Sequence, residues 1–462
     1  MLENLKLAET EEPLYRRLAE AIAARIARGE LLERDRLPPQ REIARVLGIN
    51  VTTVTRAFLE LQQRGLIEAR PGRGTMVAPR NLEDGQQFKS APSDESGLID
   101  LSVNRPPTSA YLDAVSNLLP RLSKDRRYAA LQDYHPPEGP AWAREAIAQW
   151  FASAAGGGDA SRIILTDGAQ HALACVLAAV AERGQVILAD SVTYQGINAL
   201  CHSRGLELRS LPMDREGMRP DAFETACAQY RPKAVFLMPS LHNPTTITLG
   251  EGRRRSIVAV ARKYNVIIIE DDVYRPLVES PLISFAELEP ELTFHIGAFS
   301  KCVAPGLRLG AVIGPRALMG NVAAALRIDC WSISPLTALI GSILLESGMA
   351  QRIIEVQREE LRRRNVLLRN RFGQFDLDTN PVSTHAWLRL PEPWRAAEFA
   401  RACRQRGVAV LPADAFAVGR EPVPHAVRLN IGAARSEADL SRALDVLASL
   451  LNSGHLHIPG IV

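Results

Sequence analysis

The segment GAFSKCVAPGLRLG, residues 297–310, sets one lysine, Lys301, in a turn of small residues, with Arg308 seven positions further on. A lysine amine attacks a carbonyl carbon once it has lost its proton, and burial lowers its pKa enough to allow that near neutral pH. Other polar residues share the setting of Lys301 at the ends of short apolar runs. Asp271, Asp272 and Tyr274 close IIIEDDVY, Asn243 precedes Pro244 after FLMP, Gly168, Ala169 and Gln170 follow IILTD, and Tyr194 follows VILADSVT. Ligand groups in an α/β sheet gather at the carboxyl ends of the strands. Each feature alone has a plainer reading: an inert exposed lysine, a loop acid, a strand-to-helix turn, tyrosines at the rim of a core. The set as a whole is what points to chemistry.

Together these residues meet the needs of one cofactor, pyridoxal 5′-phosphate. A lysine amine bonds its aldehyde. An aspartate beside the pyridine nitrogen keeps the ring protonated, so that it acts as an electron sink. Phosphate asks for backbone N–H groups at a helix N-terminus and an arginine fork. A phenol and an amide donate to the ring oxygen, and an aromatic face stacks on the ring.

Elements able to position such residues are legible. SRIILT, QVILAD, AVFLMP, NVIIIED, TFHIGAFS and RLGAVIG are short, apolar and often β-branched, as buried parallel strands are, and they alternate with helical stretches. The expected fold is α/β with a mixed, mostly parallel sheet. From about Ile340 the chain reads as helical at first and then mixed.

The front of the chain differs. In EEPLYRRLAEAIAARIARGE, Leu14, Leu18, Ile22 and Ile26 recur every four residues, between Pro13 and Gly29. Ile43, Val46 and Leu47 then form a short apolar face, Gly48 breaks it, and Val54, Phe58 and Leu61 restart it, which is a helix-turn-helix pattern. LIEA and TMVA flank RPGRG and read as a hairpin with a basic tip. Nine arginines stand against four acids from Arg34 to Arg80, enough for several phosphate contacts. A unit over residues 1–79, a polar linker over 80–98 and a body over 99–462 follow from this reading.

The totals narrow the class. Hydrophobic residues are 46% and charged residues 23%, as in ordinary globular proteins, and no apolar run approaches a membrane span. The six cysteines lack metal-ligand spacing, so no metal is expected and reduced thiols in a cytoplasm are. The polar N-terminus shows no signal peptide.

The body resembles a fold-type I, class I aminotransferase, through NRP, YHPPEG, TDGAQHAL, DSVTYQG, HNPTT, EDDVY, SKCVAPGLRLG and VRLNIG in that order. The resemblance implies a seven-stranded-type sheet with a smaller α+β C-terminal subdomain. It makes Lys301 the Schiff-base lysine, Asp271 the partner of the pyridine nitrogen, and Tyr274 and Asn243 the donors to the ring oxygen. Gly168, Ala169, Gln170, Ser300 and Arg308 would surround the phosphate and Tyr194 would stack on the ring. Arg428 would take a carboxylate and Asn104 would lie near the substrate end. Tyr134 would cross to the phosphate of a second subunit, so a homodimer is implied. The chain departs from the pattern at Ala298, where Ser or Thr is common, at Thr246 in NPTT for NPTG, which is expected to narrow the pocket, and in VSTHAWL, which replaces a Gly-Gly-containing strand. Those departures bear on substrate handling.

The first 79 residues resemble the GntR-type winged helix-turn-helix, with Gln40 where a Ser cap is common. Thr52, Thr53 and Arg56 are the expected major-groove residues, and Arg41 and Arg73 the expected phosphate or minor-groove contacts. Head and body together resemble the MocR regulators. The resemblance implies a transcriptional regulator that binds operator DNA and senses an amino compound, or pyridoxal phosphate itself, through imine exchange at Lys301. Two alternatives stay open: a working aminotransferase with an accessory head, and a DNA-binding protein whose body only dimerises.

Overall fold

The computed structural model describes residues 13–27, 30–31, 35–63, 66–70, 74–78, 97–107, 109–151, 158–419 and 423–453. They form two compact units, one of residues 13–78 with 417–419 and 423–424, and a larger one of residues 97–416 and 425–453. Residues 80–96 of the expected linker lie outside the described residues.

The small unit contains α1 (Leu14–Ala27), α2 (Gln40–Leu47), α3 (Val51–Gln63), β1 (Ile67–Arg70) and β2 (Gly74–Val77). Leu18, Ile22 and Ile26 of α1 are buried in one cluster with Val54, Phe58 and Leu61 of α3. Burying Phe58 alone contributes roughly 2 kcal/mol. Two expected core positions lie at the rim instead. Leu14 opens α1 and is 36% exposed, and Val46 is 43% exposed because the inward stripe of the two-turn α2 runs through Ile43, Ala44 and Leu47. Gly48 ends α2 at φ 64°, a left-handed conformation that glycine adopts without strain, and its N–H donates to the Ala44 carbonyl. Gln40 does not cap α2; Pro39 takes that position, and the Gln40 Oε1 atom accepts from the Thr55 hydroxyl at 2.7 Å. β1 and β2 pair antiparallel from Ile67 opposite Val77 to Arg70 opposite Gly74, with Arg36 bridged to Met76.

The large unit is built on β3 (Ile163–Thr166), α4 (Ala169–Val180), β4 (Val186–Asp190), α5 (Gln195–Arg204), β5 (Glu207–Leu211), β6 (Ala234–Leu237), α6 (Glu251–Tyr264), β7 (Ile267–Asp271), β8 (Thr293–Ala298) and β9 (Gly310–Ile313). The sheet order is β3-β9-β8-β7-β6-β4-β5. β5, β4, β6, β7 and β8 run parallel, and β9 is antiparallel to both its neighbours. Strands flanked by helices are buried along their whole length, which explains why β3 and β6 lack polar alternation and why Thr293 and His295 of β8 are buried as well. Parallel strands carry all their carboxyl ends to one edge, so Asp190, Leu237, Asp271 and Ala298 finish on the same side of the sheet.

After β9 come helices Arg316–Cys330, Pro335–Glu346 and Met349–Phe372, earlier than the sequence reading placed the helical tail. A second sheet contains β10 (Ala386–Arg389) and β11 (Ala426–Leu429), paired antiparallel, with Trp387 opposite Arg428. Its core includes Phe372, Leu388, Phe399 and Leu444. The first strand of the large unit, Ile99–Asp100, pairs parallel with Val408–Ala409. No described helix is long and apolar enough to cross a membrane.

Candidate cofactor and effector site

Lys301 closes a single 3-10 turn, Phe299–Lys301, directly after β8. A second turn, Pro305–Leu307, leads to Arg308 and into β9. The Lys301 Nζ atom donates to the backbone carbonyl of Asn104 at 2.6 Å. Burial, and after it the positive charge of Arg428, bring its pKa down from 10.5 to about 8, against the opposing charge of Asp271. A lysine so placed is nucleophilic near neutral pH.

The acidic run at the end of β7 divides by strand alternation. Glu270 faces one side, where it accepts from the backbone N–H groups of Phe285 and Ala286 and lies 3.0 Å from the His295 Nδ1 atom. Asp272 pairs with Arg275 at 3.5 Å. Asp271, on the opposite side from Glu270, has among the described residues only the long 3.4 Å contact from the Val273 N–H. Burial pushes its pKa up to about 7, with the Val273 N–H and Lys301 opposing and Asp272 reinforcing. A buried carboxyl with so little donation to it is ready to receive a cationic N–H.

A cradle forms where β3 meets α4. Gly168 caps α4 at φ 80°, and a Cβ there would lie 2.5 Å from an Arg308 terminal nitrogen. This is a close approach that only glycine permits. The Arg308 guanidinium donates to the Asp167 carbonyl at 2.9 Å and to the Ser300 hydroxyl at 3.3 Å. Tyr194 caps α5 and donates to the Gln170 Oε1 atom at 2.8 Å; burial pushes its pKa up to about 12. A Cβ on Gly196 would come within 2.4 Å of both Gln170 and Tyr194. The cradle therefore brings together Gly168, Ala169, Gln170, Tyr194, Ser300 and Arg308.

Asn104 and Arg428 link the two sheets. Asn104 donates from its amide nitrogen to the Tyr274 hydroxyl at 2.5 Å, and its amide oxygen accepts from Thr384 at 3.2 Å and Asn430 at 2.8 Å. Burial raises the Tyr274 pKa. Arg428 is buried, donates to the Asn243 amide oxygen at 2.9 Å and to the Ser102 carbonyl, and lies 4.8 Å from the centre of the Phe416 ring. Burial lowers its pKa to about 10. Its Nε atom is buried and has no hydrogen-bond partner among the described residues.

Tyr134 stands apart from this cluster: it is 89% exposed and its ring meets Trp331 at 5.7 Å. In the small unit Arg41, Thr52 and Arg56 are exposed and Thr53 is half-buried. Arg73 lies outside the described residues. Thr52 does more than face outward, since its N–H and hydroxyl both donate to the Asn50 Oδ1 atom, at 3.0 and 2.9 Å, which makes Asn50 the cap of α3. The sequence reading passed over Asn50, Ser102, Thr384, Phe416 and Asn430. Asn430 could have been found, because it follows Arg428 by two residues at the end of one strand and so shares its face.

The residues present suit pyridoxal phosphate. The donors are of the right kinds: a depressed lysine amine, an under-donated buried carboxyl, a glycine-built cradle with an arginine fork at a helix N-terminus, and an orphaned guanidinium nitrogen. Lys301 would hold the aldehyde carbon, Asp271 the ring nitrogen, and Arg308, Ser300 and the first N–H groups of α4 the phosphate.

Comparison with known proteins agrees. The family described as aminotransferase class I and II matches residues 96–447, and the family of bacterial regulatory proteins, gntR family, matches residues 14–77. The HTH-type transcriptional regulator YdeF of Bacillus subtilis is 29% identical over 96% of this chain and 96% of its own. The vitamin B6 salvage pathway transcriptional repressor PtsJ of Salmonella typhimurium is 28% identical over 93% of this chain and 97% of its own. The crystal structure of LysN, an α-aminoadipate aminotransferase of Thermus thermophilus complexed with N-(5′-phosphopyridoxyl)-L-leucine, superposes with a TM-score of 0.70 at 21% identity. That match covers 80% of this chain and 97% of LysN.

Proposed function

Since the chain belongs to the class I and II aminotransferase family and joins that body to a GntR-family DNA-binding head, we propose that it is a cytoplasmic, homodimeric transcriptional regulator that reads an amino compound at Lys301. Its cofactor is pyridoxal 5′-phosphate, which when bound supplies an electrophilic carbon that exchanges one amine for another. The observation that carries this reading is Lys301 itself: an amine placed directly after β8, held on the Asn104 carbonyl at 2.6 Å in one site with a buried aspartate and a guanidinium fork, in a chain that also carries a DNA-binding fold.

The residues divide the work. Lys301 would bond the cofactor and give way to an incoming amine. Asp271 would hold a proton at the ring nitrogen. Arg308, Ser300 and the α4 N-terminus would hold the phosphate, with Tyr134 of a second subunit completing that end. Tyr194 would stack on the ring, Tyr274 and Asn243 would donate to its oxygen, and Arg428 would take a carboxylate on the effector. Arg41, Thr52, Thr53, Arg56 and Arg73 meet operator DNA. An effector shifts DNA binding only as far as its affinity differs between two states of the body.

A working aminotransferase is the second reading, favoured by the presence of Lys301, Asp271 and Arg428 in one cluster. Purified protein mixed with a panel of amino compounds separates the two. A regulator shifts its visible absorbance band and releases at most about one 2-oxo acid per subunit, whereas an enzyme releases many. Lys301→Ala is expected to abolish the band, and a band that persists in this variant refutes the assignment.

A further inference from the structure

Groups of the site converge on one short piece of backbone. Arg428 donates to the Ser102 carbonyl, Lys301 donates to the Asn104 carbonyl at 2.6 Å, and the Asn104 side chain donates to Tyr274 while Thr384 and Asn430 donate to it. This piece follows the strand Ile99–Asp100, and in sequence it is the first part of the body after residues 80–96, which join body to head. Asn430 also ties it down, its N–H bonding to the Leu101 carbonyl at 2.9 Å. The backbone of Ser102 and Asn104 therefore occupies the same two cationic groups that an amino acid would use.

Resting on the reading of Lys301 and Arg428 given above, we infer that the Ser102–Asn104 backbone is part of the effector site, and that a compound with both a primary amine and a carboxylate moves the anchor of this segment from Arg428 to Lys301. The carboxylate half follows from the guanidinium. A carboxylate taken side-on uses the Nε atom and the adjacent terminal nitrogen. Nε is buried and has no partner among the described residues, and that terminal nitrogen is the one that donates to the Ser102 carbonyl, so the carboxylate competes with Ser102 for it. The amine half follows from the exchange at Lys301. As the effector nitrogen bonds the cofactor carbon, the bond from that carbon to Lys301 Nζ breaks, and two protons pass from the effector nitrogen to Nζ. A covalently held Nζ keeps at most one N–H, whereas the released amine has at least two. The contact with the Asn104 carbonyl is the place such an amine goes. An amine without a carboxylate frees Lys301 but leaves Arg428 on Ser102, and a carboxylate alone leaves Lys301 bound.

The test uses the full-length, cofactor-loaded protein and two carbonyl reagents with the same reactive nitrogen, methoxyamine, which has no carboxylate, and aminooxyacetate, which has one. Absorbance follows release of Lys301, and hydrogen exchange by mass spectrometry follows residues 97–107. Both reagents are expected to discharge the lysine-bound band. Methoxyamine is expected to slow exchange in the segment threefold or more, since both anchors then hold it, and aminooxyacetate is expected to exchange at least threefold faster than methoxyamine. Equal exchange with the two reagents, after the band has gone, overturns the inference and leaves the Lys301 reading standing. A band that neither reagent discharges overturns the Lys301 reading itself.

Discussion

The pKa of Lys301 makes a quantitative claim about rate. An amine at its ordinary value of 10.5 is about one part in a thousand unprotonated at pH 7.5, and one at about 8 is about one quarter unprotonated, a gain of roughly 240-fold in reactive fraction. The sign follows from burial: the low-dielectric surroundings and the nearby Arg428 disfavour the charged amine, so the neutral nucleophile gains as pH rises and saturates above about pH 8. Asp271, which titrates near 7, works against this, because its ionisation favours a charged Lys301. The rise between pH 6 and 8 is therefore expected to be shallower than tenfold per unit and to level off above pH 8. Stripped protein mixed rapidly with pyridoxal phosphate, followed by absorbance from pH 6 to pH 10, measures it. Dividing by the rate of a free blocked lysine at each pH removes the ionisations of the cofactor itself. Replacing Arg428 with methionine removes the second cause of the depression, and the levelling point should move to higher pH. A rate that climbs steadily to pH 10 in the unaltered protein, with no levelling, refutes the argument from burial.

Three further expectations are independent of that one. Gly168→Ala would drive a Cβ into Arg308 at a positive φ and should weaken cofactor affinity about tenfold to a hundredfold in a spectroscopic titration. Gly306→Ala, where a Cβ meets nothing within 4 Å, is the matched control and should leave affinity unchanged. Arg56→Ala should lose operator binding at physiological salt and flatten the slope of log affinity against log salt by about one, with the absorbance band intact; retained binding would mean that α3 is not the recognition helix. Asn50→Ala removes the cap of α3 and should lower its local stability by about 1 kcal/mol, seen as about fivefold faster amide exchange within α3.

Much of this was legible because the residues that do chemistry sit where secondary structure is most predictable from pattern. The apolar runs before Asp271, Asn243, Gly168 and Tyr194 read as strands since nothing polar interrupts them, and the run before Lys301 does so despite His295. The edge strand β5 escaped notice for the opposite reason: Glu207, Leu208, Arg209 and Ser210 are exposed or half-buried, so the run carries no apolar signature. Val46 was placed in a core because Ile43, Val46 and Leu47 have helical spacing, yet a helix of two turns buries only a narrow stripe. Gln40 was read as a cap by local position, and its side chain turned instead to Thr55, fifteen residues away. Ser102 was invisible in principle, since what matters there is a backbone carbonyl, which every residue has.

The departures from the aminotransferase pattern gain meaning from where they fall. Ala298 is fully buried at the end of β8, and the cradle is still supplied by Ser300, Arg308 and the α4 terminus, so the change leaves the proposed phosphate partners in place. Thr246 sits at φ 63°, where a β-branched residue is strained, and its N–H is tied to the His242 carbonyl, close to Asn243 in sequence. The VSTHAWL segment places a hydroxyl, that of Thr384, on the Asn104 amide oxygen, and seats the buried His385 5.4 Å from the Tyr274 ring. Burial holds the His385 pKa down at about 3, so it stays neutral and adds no charge beside Lys301. A glycine at position 384 could make no such bond. In the proposed reading, capture of an amine uses Lys301, Asp271 and the cradle, and those are kept; of the altered residues, Thr384 touches the side chain of Asn104, whose carbonyl Lys301 grips. A hydroxyl added at that contact, with the proposed capture residues kept, is what a chain would show if ligand binding had to be felt by the segment leading to the DNA-binding head rather than followed by turnover.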